Sequence, residues 1–206
     1  MKKVQFALLF LLLSFIANSQ EEPKKPEFGL NINGKIGFGK LIQNGMVNLN
    51  GSINSGDILF FYRLPSGTTI STGVGMLDFN ANGVTGGESY SLKQSYLRIP
   101  INLNYSLFIL KNQLDSKLSA YGGIGIYANN LFREEIQTID QTFKNKNQGW
   151  NAGLGFNLGL RFGVTKDVNF GIGFESQSDI TKIKKNGTER KLEEINTVNF
   201  SFEFKF

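Results

Sequence analysis

Residues 198–206 read VNFSFEFKF: Val198, Phe200, Phe202, Phe204 and Phe206 alternate with Asn199, Ser201, Glu203 and Lys205. A strand turns successive side chains to opposite faces, so this segment has one apolar face and one polar face. Chain termini usually fray unless something holds them. A stripe this regular at the last residue therefore implies a partner strand and two different solvents, one for each face.

The same period recurs upstream. In WNAGLGFNLGLRFGV, Leu154, Phe156, Leu158, Leu160 and Phe162 oppose Gly153, Gly155, Asn157, Gly159 and Arg161. Further strands are read in FGLNINGKIGF, GDILFFYRLP, TISTGVGM, SYLRIPINLNYSLFI, KLSAYGGIGIYANN and VNFGIGFES. In GDILFFYRLP, Arg63 sets the phase and places Ile58, Phe60 and Tyr62 on the other face. In SYLRIPINLNYSLFI the apolar phase runs Leu97, Ile99, Ile101, Leu103, Tyr105, Leu107 and Ile109. Pro100 falls on the polar phase and predicts a bulge or bend, because proline removes a ladder donor.

That makes eight strands, and their connections alternate. Residues 41–55, 80–89, 132–148 and 178–194 read as long polar loops, whereas 66–68, 111–116 and 165–167 read as tight turns. Alternating long and short connections over an even number of strands predict an all-β fold, an eight-stranded antiparallel up-and-down transmembrane β-barrel, with mobile loops outside the cell.

The faces then have to be assigned. The polar phase carries Lys35, Arg63, Arg98, Arg161, Glu175, Glu203 and Lys205, mixed in sign. An eight-stranded barrel has an interior only wide enough for side chains to fill. Inward glycines leave room there for Arg and Tyr, while the whole set of Leu, Ile, Phe and Val would overfill it. The volume argument puts lipid outside and a polar network of Lys35, Arg63, Arg98, Arg161, Glu175 and Glu203 inside. In lipid every backbone group must be paired, so the last strand must close on the first. A secreted lipocalin-like barrel or a β-sandwich is the soluble alternative.

The first residues, MKKVQFALLFLLLSFIANSQ, have the charged start, apolar run and small-residue end of a secretory signal peptide. The expected division is a signal peptide over 1–19, a short periplasmic lead over 20–27 and the barrel domain over 28–206. The chain has 24 Gly, 19 Phe and no Cys, so it has neither a lipid-attachment cysteine nor a disulfide framework. The net charge of +5, of which Lys2 and Lys3 supply part, is too mild for a nucleic-acid footprint.

Taken together, YLRIPINLNY, YGGIGIYANN, GLGFNLGLRFGV and the terminal Phe resemble the small outer-membrane β-barrel domain family that includes PorT-like proteins. The resemblance covers nearly the whole mature chain and implies export to the outer membrane of a Gram-negative bacterium. It also implies outer-membrane lipid as partner, and a secretion-complex partner for the PorT-like members. The C-terminal aromatics Phe202, Phe204 and Phe206 are similar to the signal read by the barrel-assembly machinery.

The chain contains no His, so the His general base that similar barrel hydrolases use cannot be supplied. With Cys absent too, soft metal sites are excluded. No enzyme activity or cofactor is expected. DFNANGVTGGE, residues 78–88, begins like a calcium loop at Asp78, Asn80, Asn82 and Gly83, but Ser89 stands where the bidentate Glu belongs, and an ordinary loop is the better reading. KIKKNGTERK, residues 182–191, reads as a basic loop tip facing solvent, lipopolysaccharide phosphates or an acidic partner. The expected role is non-enzymatic: structural, adhesive or interacting through the loops. The alternatives are an accessory subunit of a secretion or transport complex, and a minor pore for small apolar solutes with a lateral gap near Pro100.

Overall fold

The computed structural model describes residues 26–111, 117–185 and 187–206. The proposed signal peptide, residues 20–25 of the lead and most of the turn at 111–116 lie outside the described residues. The strands are β1 (Glu27–Gln43), β2 (Leu49–Arg63), β3 (Thr68–Thr85), β4 (Glu88–Lys111), β5 (Lys117–Gln137), β6 (Thr142–Gly163), β7 (Val168–Asp179), β8 (Ile183–Lys185) and β9 (Thr188–Lys205). Each long strand pairs antiparallel with the next, and β9 pairs with both β7 and β1, so the sheet closes. The eight long strands form the barrel; β8 is a three-residue addition on β9. Closure reaches the terminus: Phe206 N–H donates to Phe28 O at 3.0 Å, and the two rings lie 6.0 Å apart.

Around the wall, Phe28 to Phe38 on β1, Ile58 to Tyr62 on β2, Ile70 to Met76 on β3, Leu97 to Leu103 on β4, Leu154 to Phe162 on β6 and Val198 to Phe202 on β9 form an outward apolar band. Its longest stretches run about ten residues, the length with which a tilted strand crosses hydrocarbon.

The strands do not stop at the edge of that band. The expected long loops at 41–55, 80–89 and 132–148 are mostly strand: β1 and β2 are joined by residues 44–48, β3 and β4 by Gly86 and Gly87, and β5 and β6 by residues 138–141. Gly86 (φ 59°) and Gly87 (φ 86°) both occupy the left-handed region, as a two-residue hairpin that follows the sheet's twist requires. The fourth expected loop, 178–194, contains β8 and the start of β9.

Above the band the polarity of the wall inverts. Asn54, Asp78 and Ser95 form one outward row, Asp78 accepting from Ser95 Oγ at 2.5 Å, and Ser52, Asn80 and Lys93 form the next. The inward face of the same stretches carries Leu41, Ile53, Leu77, Phe79, Ala81, Leu92, Tyr96, Leu131, Leu192 and Ile195, joined by Ile183 of β8 in one buried cluster. The alternation that marks a strand is present here, in the opposite phase.

Pro100 makes no bulge. The β3–β4 ladder lacks its rungs at Gly73 and Val74 but keeps its register, and Thr72 Oγ1 donates to Pro100 O at 2.9 Å. The register shifts of β4 against β5 fall instead at Ser95/Tyr96 and Ser106/Phe108. A missing N–H removes rungs without adding a residue, so the count across the ladder is unchanged. The side chains of Leu107 and Ile109 lie outside the described residues.

Candidate functional site

The barrel interior has two compartments. At the end with the short turns, Glu203 accepts from Arg63 at 2.9 and 3.1 Å and from Asn169 Nδ2 at 3.0 Å, and pairs with Arg161 at 2.7 Å. Arg63 also reaches Glu27 at 2.9 Å. Farther along the barrel, Lys35 lies 2.6 Å from both Asp57 and Glu175. Arg98 donates to Gln177 Oε1 at 2.6 Å and stands 3.9 Å from Glu175. All six lumen residues expected from sequence point inward and join these two groups. Asp57 was missed, although its placement opposite Asn33, beside Lys35, follows once the β1–β2 register is known.

Aromatic rings complete the filling. Arg98 stacks over Tyr127 at 4.2 Å and Arg161 over Tyr121 at 4.9 Å. A Cβ at Gly159 would meet the Tyr121 hydroxyl at 2.7 Å, and one at Gly153 would collide with Tyr127, so glycine at these positions makes room for the tyrosines. Between the two charged groups lies a cavity of about 50 Å³, lined by Asn31, Asn104, Asn157 and Asn199 among others. The side-chain oxygens of these four have no protein partner, and the space suits on the order of three water molecules.

The upper compartment is the apolar cluster, crossed by a buried polar chain. Tyr96 Oη donates to Gln94 at 2.7 Å, Gln94 Nε2 donates to Glu134 at 2.7 Å, and Glu134 pairs with Arg190. Asp179 accepts from Tyr127 at 3.0 Å and from Leu192 N–H at 2.6 Å. Charges inside the barrel thus answer one another, and large buried side chains fill the upper compartment.

Two motifs singled out from sequence change meaning. Asp78, Asn80 and Asn82 lie in β3, neither in an ordinary loop nor in a calcium loop; an extended backbone sets them in a row on the outer wall, where they cannot converge on one ion. Among the described residues no group of three or more His, Cys, Asp or Glu is placed to hold a metal. The basic stretch 182–191 is largely neutralised. Lys182 and Lys184 each reach Glu189 at 2.9 Å, Lys191 pairs with Glu193, and Arg190 is buried against Glu134. Hydrogen bonds from Lys184 and Lys182 pull the exposed Glu189 carboxyl down to about 2.

Residues 6–206 match the family described as the outer membrane protein beta-barrel domain. The chain belongs to this family. Its fold is shared with Neisserial surface protein A at 14% identity and a TM-score of 0.52, over 89% of this chain and 100% of that one. The barrel domain of Pseudomonas aeruginosa OprF gives 12% and 0.40 over 88% and 100%, and Ail of Yersinia pestis 11% and 0.40 over 89% and 100%. No curated protein matches. The family places the chain in the outer membrane as an antiparallel barrel.

Proposed function

We propose that this protein is a non-enzymatic, non-conducting outer-membrane barrel that raises a rigid β-walled crown above the membrane for interaction. Residues 1–19 are removed on export, and the hairpin tips face outside the cell. The observation that carries this reading is the buried cluster from Leu41 to Ile195 stacked above an ion-paired lumen: buried, mutually bonded side chains fill both compartments. The absence of His supports a non-enzymatic role. Refolded protein added to a planar bilayer should give no steady conductance. Reproducible open steps from the wild-type chain would sink the proposal and favour the pore.

The second reading is an accessory subunit of a PorT-like secretion complex. It is supported by the tips, where Val47, Val84 and Ile139 are 80%, 65% and 85% exposed. Apolar residues on separate hairpins suit a protein contact better than open water. Purification in mild detergent separates the readings, since a stoichiometric partner retained through it would favour the subunit.

A further inference from the structure

In the basic stretch Lys182, Lys184, Arg190 and Lys191 are paired with acids and Lys185 donates to the Lys146 and Asn147 carbonyls, while a second group of cations lies on another wall. Gln94 and Glu134 point inward, so Lys93, Arg133 and Glu135 point outward. The register sets Lys93 opposite Glu135, Glu135 opposite Lys144, and Arg133 opposite Lys146. Cross-strand neighbours stand about 5 Å apart at Cβ, so four cations crowd one carboxylate on the outer wall of β4–β6.

Only Arg133 is paired, at 2.8 Å to Glu135. Among the described residues Lys93, Lys144 and Lys146 make no ion pair. The hydrogen bond from Arg133, with the charges of Lys144 and Lys93 beside it, holds the Glu135 carboxyl below its ordinary range. On the opposite wall, by contrast, Lys40 and Lys191 are matched to Glu194 and Glu193.

The height of the patch is informative. Ser95, opposite Arg133, is the next outward residue above Leu97, the top of the apolar band on β4. On β6, exposed Trp150 ends the band, and Lys146 lies just beyond it. An aromatic at the boundary with cations directly above it suits the depth of lipid headgroups.

We propose that Lys93, Arg133, Lys144 and Lys146 form a docking site for the phosphate groups of an outer-leaflet glycolipid whose acyl chains lie against the band below. Continuity with the apolar band argues for a lipid rather than a soluble polyanion. The site rests on the orientation proposed above, with the hairpin tips outside the cell.

Diphosphorylated lipid A titrated into detergent-solubilised protein, followed by native mass spectrometry, tests it. Wild type should bind that lipid at least about a hundredfold more tightly than its dephosphorylated form, the bound phosphates meeting three or more cations at about fivefold each. Lys93→Gln/Lys144→Gln/Lys146→Gln should lose on the order of a hundredfold, while Lys182→Gln/Lys184→Gln should bind like wild type. Heat-modifiable gel migration checks that both variants are folded.

Equal binding by the triple variant, or indifference to the phosphates, overturns the site. Inositol hexakisphosphate bound more tightly than the lipid at the same lysines overturns the choice of a lipid. The orientation is read separately: Ser91→Cys should react with an impermeant maleimide on intact cells. No labelling there would reject the orientation whatever the micelles show.

Discussion

Glu203 ties the turn end of the lumen together: two guanidinium groups and an amide converge on its carboxylate. Removing one partner of a buried ionic group leaves uncompensated charge, at a cost of about 3–5 kcal/mol. Glu203→Gln keeps the shape, takes the carboxylate from Arg161 and leaves Arg63 with the Glu27 carboxylate alone, so the refolded barrel should unfold in urea at a stability lower by about that amount. A shift under about 1 kcal/mol would mean that water in the adjoining cavity already screens the cluster. Arg63 was legible as a lumen residue from a single phase argument in GDILFFYRLP. Its ties were not, because Glu27 meets it only through the β1–β2 register and Glu203 only through closure.

The β3–β4 hairpin carries loop-favouring residues on a strand. Asn80, Asn82 and Ser89 read as a loop in the sequence, yet Phe79, Ala81 and Leu92 continue the alternation inward. Gly86-Gly87 was the available signal: Gly-Gly between alternating runs marks a two-residue turn. Each left-handed position costs a non-glycine residue about 1–2 kcal/mol. Gly86→Ala/Gly87→Ala should therefore destabilise the tip by about 2 kcal/mol or more, read as faster amide exchange from Ala81 to Leu92. Exchange at Ile70 to Val74, inside the band, should stay unchanged. Uniform acceleration along both strands would show instead that the hairpin nucleates the whole sheet.

At the scale of the molecule, the C-terminal strand closes the barrel against β1 and β7, and its phenylalanines face outward. Packing and recognition by the assembly machinery are thus two candidate roles for the same residues. Phe204→Ser/Phe206→Ser should lower outer-membrane levels in cells while the purified chain still refolds in detergent. Failure in both settings would assign the tail to packing alone.

Period-2 alternation in VNFSFEFKF and its relatives determined the strands, their number around the wall and the lipid-facing stripe, because residue spacing along a strand is a local property. Only the tertiary structure decided where the interior turns from ion-paired to apolar and which lysines remain unpaired. Alternation says which residues share a face, not which solvent that face meets. Closure and register choose the solvent, and they bring Lys93, Arg133 and Lys146 together from three strands.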